Sequence, residues 1–200
     1  MHQLVLATHN ADKAREFVNL LQDLQVEILT LDRFPHIGEI VEDGQTLEEN
    51  AEKKAREVFR QAGLPSIADD TGLEVRYLND RPGVYSSRYA GEDASYEDNC
   101  RKLLRDLRGV PPRRRGAQFR CVLAFNAPGN ILEFSEGVCP GAITESARGG
   151  KGFGYDPVFL PRGFETTFGE MDESTKNGIS HRGHAIQGMK GILLDYFRNP

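Results

Sequence analysis

Residues 3–31 read QLVLATHNADKAREFVNLLQDLQVEILTL, and the change of period along this stretch decides the fold. Gln3 to Ala7 is a short apolar run of strand character, closed by the polar turn Thr8-His9-Asn10. Phe17, Leu20, Leu21 and Leu24 then recur at i, i+3, i+4 and i+7, which is one face of a helix. Val26 to Leu31 returns to strand character almost at once, giving a strand–helix–strand opening. Working outward, Thr46 and Glu49 form a capping-box pattern at the start of a second helix. That helix carries Ala51, Ala55, Val58, Phe59 and Ala62 on its buried stripe and is stopped by Gly63-Leu64-Pro65.

Ser66 to Ala68 leads into Asp69-Asp70-Thr71-Gly72, with a further strand expected around Leu73 to Tyr77. A third helix from Ser95 aligns Cys100, Leu103, Leu104 and Leu107. Ala117 to Asn126 and Ile131 to Val138, joined by Pro128-Gly129-Asn130, read as an antiparallel hairpin. A short strand is expected near Val158, and a last helix burying Ile186, Met189, Leu193 and Phe197. Mixed strands and helices with one hairpin give a single α/β or α+β domain over residues 1–200, with a second lobe near 80–145.

Composition narrows the class. The chain has 200 residues, and by surface scaling about 70% of its unfolded surface can be buried, enough for a core without staples. A formal charge of −5 argues against a general nucleic-acid binder. No apolar run approaches the ~20 residues of a membrane span. The first apolar run is too short for a signal peptide, so a cytosol-like compartment is expected. Cys100, Cys121 and Cys139 are odd in number and lack C-x-x-C spacing, which favours reduced thiols over a disulfide or zinc site.

Four segments could carry chemistry. The Thr8-His9-Asn10 turn leads into a helix N-terminus, where amides and the helix dipole suit phosphate and Lys13 sits one turn in. Asn10 can equally be a plain helix cap there. Asp69 and Asp70, adjacent and expected at a strand end, project to opposite sides. They read as a magnesium ligand or general base, or else as a surface Asx-turn. Glu42 could add a second carboxylate, and Lys54 borders the buried stripe of its helix, either pointing into a cleft or snorkelling outwards. In the glycine-rich stretch 149–157, Phe153 is a candidate stacking platform and Asp156 an acceptor, with Lys176, His181 and Arg182 following just before the last helix. The alternative for those aromatics is packing over a turn.

Other motifs fail. Glu145 stands where a P-loop ending in Gly150-Lys151 needs its first glycine. Arg56 to Leu64 approaches the tail of a Nudix box. Arg60 and Gln61, however, replace its glutamate pair, and Glu42 stands where it needs glycine. Pro111 to Arg115 reads as a solvated basic loop.

Taken together, six segments resemble the inosine triphosphate pyrophosphatase family: Leu6 to Lys13, Glu42 to Ala51, Ala68 to Leu73, Pro82 to Glu92, Gly152 to Pro157, and Lys176 with Ser180-His181-Arg182. They occur in the family's order and cover essentially the whole chain. The resemblance implies an elongated α/β domain with a long mixed sheet flanked by helices and two lobes around a central cleft. It further implies a cytoplasmic homodimer. The implied reaction is Mg²⁺-dependent hydrolysis of dITP, ITP and XTP to the nucleoside monophosphate and pyrophosphate. By position, Asp70 would be the general base and, with Glu42, a metal ligand. Thr8, His9, Asn10, Lys13, Lys54, Thr71 and Lys176 would meet the triphosphate. Phe153, Gly154, Tyr155, Asp156, His181 and Arg182 would meet the base. His9 departs from the glycine common in relatives, and Thr71 replaces a serine while keeping the hydroxyl.

Overall fold

The computed structural model describes residues 2–198. Strand β1 (His2–Leu6) pairs in parallel with β2 (Val26–Leu29), with helix α1 (Ala11–Leu21) as the crossover. On its other edge β1 pairs in parallel with the start of β3 (Ser66–Val75), Leu6 opposite Ile67, after helix α2 (Leu47–Ala62). A strand flanked on both edges is expected to be apolar throughout, and Leu4, Val5 and Leu6 are fully buried.

The remaining elements are β4 (Arg81–Gly83), α3 (Tyr96–Asp106), β5 (Gly116–Ala127), β6 (Ile131–Ile143), β7 (Phe159–Pro161), α4 (Glu173–Ile179) and α5 (His181–Arg198). The strands form one sheet in the order β2-β1-β3-β5-β6-β7, with β4 paired to β3. The expected α/β class and mixed sheet are both present.

The chain divides into two compact units. One contains residues up to Asp70, Cys121–Gly137 and the chain from Arg182 on; the other contains Thr71–Arg120 and Val138–His181. Residues 121–137, inside the 80–145 lobe read from sequence, fall in the first unit. Each unit has its own core. In the first, Leu4, Leu6, Phe17, Leu21, Ile67, Leu123, Phe125, Ile186, Met189 and Leu193 pack together. In the second, Leu73, Leu103, Leu107, Phe119, Tyr155, Val158, Phe159 and Phe168 do so. At ~1.5–3 kcal/mol for each fully buried large side chain, either cluster is a substantial driving force.

Local signals explain the ends of α1 and α2 that frame the site. Asn10 caps α1, its side chain accepting from the amides of Asp12 and Lys13. Thr46 caps α2 by accepting from Glu49 N at 3.1 Å, while the Glu49 carboxylate takes Gln45 N instead of the cap's own amide. Gly63, at φ +68°, closes that helix in the left-handed region.

Three expectations need correction. β3 runs unbroken through Asp69 and Asp70, so these residues lie within a strand and not at its end. The reason is a change of neighbour: pairing with β1 stops at Ile67, and antiparallel pairing with β4 begins at Leu73. His181 and Arg182 form the first turn of α5 rather than preceding it, and Lys176 sits on a separate short helix. Phe59, Ala62 and Phe197 are half-buried rather than core.

Gly72 marks the close approach of β3 to β4. A Cβ there would lie 2.8 Å from the Gly83 carbonyl oxygen. Gly72→Ala therefore forces backbone apart and is expected to cost about 1–3 kcal/mol in urea unfolding. A variant as stable as the parent contradicts this packing.

Candidate active site

The candidate residues fall into two groups, one in each unit. In the first, β3 places two consecutive carboxylates on opposite faces, and each finds its own cations. Asp69 Oδ2 lies 2.9 Å from Lys13 Nζ and 3.2 Å from Arg182 Nη2. Arg182 also holds Glu16 of α1, so one guanidinium binds two buried acids. Asp70 faces the other way, 3.5 Å from Lys54 Nζ, with Asn50 Nδ2 donating to its Oδ2 at 3.0 Å. Glu42 Oε1 completes this half at 2.8 Å from the same Lys54 Nζ.

The electrostatics of the two aspartates diverge. Burial opposes ionisation of both. At Asp69 it is overcome by Lys13, Arg182 and Lys54, which hold the carboxyl far below the usual range. At Asp70 burial prevails over Lys54 and Lys13, helped by the Glu42 charge, and its pKa is raised. The pair is thus split into a permanent anion and a carboxylate with a stronger hold on a proton. A raised carboxylate in a buried site is the better general base. Burial works against the Lys54 ammonium, but Asp70, Glu42 and Asp69 outweigh it and keep the amine charged.

Glu42 and Asp70 already grip one cationic centre, the Lys54 ammonium. Two hard carboxylates meeting at one point suit Mg²⁺, which takes one or two carboxylates and completes its shell with phosphate oxygens and water. No group of three or more His, Cys, Asp or Glu gathers for a metal among the described residues. The donor set therefore fits a metal that shares its ligands with substrate, not a closed protein cage.

At the start of α1, Thr8 Oγ1 accepts from Asn10 N at 3.1 Å, and Asn10 Oδ1 accepts from the amides of Asp12 and Lys13. The capping role of Asn10 is thus realised, and two helix amides are already engaged. His9 is exposed, and its Nε2 lies 3.2 Å from the Gly38 carbonyl oxygen. The imidazole thereby ties the Thr8–Asn10 turn to the segment leading to Glu42. Thr71 follows Asp70 in β3, half-buried.

In the second unit the 149–157 segment closes on itself. Asp156 Oδ2 accepts from Phe153 N at 2.9 Å and lies 2.6 Å from Lys176 Nζ. Gly152, at φ +71°, passes so close to the Asp156 carboxylate that a Cβ would overlap it. Gly154 also has a positive φ of +61°, and its carbonyl accepts from Cys100 Sγ. Lys176 Nζ stands 4.8 Å from the centre of the half-buried Phe153 ring, which has Tyr96 as its neighbour at 5.8 Å. Tyr155 is a core residue whose hydroxyl donates to Ser86 O at 2.8 Å. His181 stacks on Phe119 with ring centres 4.5 Å apart.

Within the second unit Lys176 is thus grouped with Phe153 and Asp156, and within the first Arg182 is grouped with Asp69 and Glu16. Two participants were not picked out from sequence, Glu16 and Asn50, while Asp69 was read only together with Asp70. Asn50 and Lys54 are spaced i, i+4 on the otherwise apolar stripe of α2, a pattern that marks both as inward-facing. Glu16, three residues after Lys13, carries no comparable signal.

Two outcomes follow from this geometry. Arg182→Ala leaves Glu16 and Asp69 buried without their shared cation, and should lower stability by about 3–5 kcal/mol in denaturant unfolding. A loss near zero would show that the triad is not buried as described. His9→Ala should speed proteolytic cleavage between residues 34 and 45 with little change in melting temperature, while unchanged cleavage would remove His9 as the tether.

Comparison with known proteins places the chain in a family. Residues 4–192 match the model of the Ham1 family. A dITP/XTP pyrophosphatase from Desulfotalea psychrophila is 46% identical over 187 residues, which is 94% of this chain and 83% of that protein. One from Geobacter sulfurreducens is 46% identical over 96% of this chain and 97% of its own length. Among solved structures, a HAM1 protein from Coxiella burnetii superposes with a TM-score of 0.88 at 39% identity, covering 98% of this chain and 100% of that one. The Staphylococcus aureus Ham1 protein gives 0.86 at 34% identity, over 97% and 99%. With its fold, its length and its matched residues all in agreement, the chain belongs to the Ham1 family.

Proposed function

We propose that this protein hydrolyses deaminated purine nucleoside triphosphates, dITP, ITP and XTP, between the α and β phosphates, releasing the nucleoside monophosphate and pyrophosphate. The observation that carries the reading is Lys54 shared by Glu42 and Asp70, beside Asp69 paired with Lys13. The names of the relatives, dITP/XTP pyrophosphatases, supply the substrate class.

Charge arithmetic supports a metal. Glu16, Glu42, Asp69 and Asp70 are four acids against the three cations Lys13, Lys54 and Arg182, a formal sum of −1 that repels a triphosphate. Mg²⁺ held by Glu42 and Asp70 would bring the sum to +1, offset phosphate charge and lower the pKa of water. The rest is done by the chain itself. Asp70 orients a water and accepts its proton, and its raised pKa suits that task. Lys13 and Lys54 offset charge developing on the departing pyrophosphate, where pre-placed cations are most effective. Thr8, His9, Asn10 and Thr71 offer further phosphate contacts. Arg182 keeps Asp69, and through it Lys13, in position.

We assign the purine to the second group. Phe153 supplies a stacking face, Lys176 a donor for the keto oxygen at position six, and Asp156 an acceptor for N1–H. Adenine, with an amino group at six and a bare N1, leaves both partners mismatched, a form of selection that can be strong. Gly154, at φ +61°, permits the turn that follows Phe153, while Tyr155 and His181 hold the wall through Ser86 and Phe119. The same reading takes the protein as a cytoplasmic homodimer. No helix among the described residues is long and apolar enough to cross a membrane.

Incubation with dITP and Mg²⁺ tests the reaction: pyrophosphate is expected, and orthophosphate in its place contradicts the assignment. Asp70→Asn should cut turnover by roughly 10²–10⁴-fold with KM changed far less. Near-normal turnover would remove Asp70 as the base.

A further inference from the structure

The first unit holds a feature that the reaction above does not use. Between the C-terminal half of α2 and the β5–β6 turn lies an open cavity of about 290 Å³, lined by Arg56, Phe59, Asn126 and the turn Pro128–Asn130. That volume is at the small end of ligand pockets. Asn126 is only 4% exposed, yet its carboxamide makes no hydrogen bond among the described residues. A carboxamide with no protein partner where the chain lines a cavity offers a donor and an acceptor to whatever occupies it. The neighbours narrow that occupant's chemistry. Phe59 is half-buried and offers an aromatic wall to the cavity. Arg56 is anchored through Nε to Glu52 at 2.7 Å, which leaves its two terminal nitrogens to meet an anion.

We infer that this cavity is a second nucleotide site, binding a nucleoside monophosphate that lays its base on Phe59, hydrogen-bonds a base edge with Asn126 and sets its phosphate against Arg56. Each contact uses a general affinity. A carboxamide presents a donor and an acceptor side by side and pairs with the N6/N7 edge of adenine. An aromatic face binds any base. A guanidinium is the preferred partner of phosphate oxygens. The inference stands on these residues alone and does not rest on the pyrophosphatase reading.

AMP is the appropriate probe, because its adenine is the base that the Phe153 group is proposed to reject. In ¹⁵N-resolved NMR, addition of AMP should shift the Asn126 side-chain amide and the Gly129 and Asn130 backbone amides in a saturable manner. Arg56→Glu, an exposed substitution that leaves the core intact, should weaken this binding at least about tenfold, as the loss of one charge-assisted contact implies. Adenosine, lacking the phosphate, should bind the parent as weakly as AMP binds the variant. Absence of shifts at residues 126–130 up to millimolar AMP would overturn the proposal. So would shifts that Arg56→Glu leaves unchanged, or shifts confined to the 149–157 segment.

Discussion

The first unit is organised by one constraint: carboxylates taken out of water must be paired with cations taken out with them. Asp69 and Asp70 are adjacent in β3 and nearly inaccessible, an arrangement that would be very unfavourable if either were left alone. Strand alternation separates them, and each face then supplies its own compensation. Lys13 from α1 and Arg182 from α5 meet Asp69, while Lys54 and Asn50 from α2 meet Asp70. Three helices are thus fixed to one strand by charge as well as by apolar packing. The chemistry proposed for the site uses the same groups, so stability and function are coupled there.

That coupling gives the two aspartates different work. Asp69, doubly paired and strongly ionised, behaves as a fixed counter-charge that orients Lys13. Asp70 has one shared ammonium and an amide, and burial leaves its proton affinity raised. A polyanionic substrate cannot enter a cluster whose formal sum is negative without bringing positive charge of its own. The proposed metal-accompanied triphosphate would meet that condition, letting the same side chains be compensated without substrate and serve it when it binds.

Much of this was legible in the sequence, because local rules governed it. The caps at Asn10, Thr46 and Ser95, the stop at Gly63 and the apolar stripes of α1, α2 and α3 act over a few residues and survive folding unchanged. The failures share a different cause. β3 could not be seen as continuous, because Asp69-Asp70-Thr71-Gly72 has the composition of a turn, and only pairing with distant strands keeps it extended. The pairing of Arg182 could not be read from sequence either. Its partners Glu16 and Asp69 lie 166 and 113 residues away, beyond any local pattern. Nor does any local pattern pair Lys176 with Asp156, whose side chains form an ion pair across 20 residues of chain.

A double-mutant cycle on Lys54 and Asp70 addresses the central constraint most directly. Lys54→Met and Asp70→Asn would be measured singly and together by equilibrium urea unfolding. If the two are mutual compensation, the double variant loses less stability than the sum of the single losses, with a coupling of about 1–3 kcal/mol. Strictly additive losses would mean that neither charge is held in place by the other, and the account of a compensated buried cluster would be wrong.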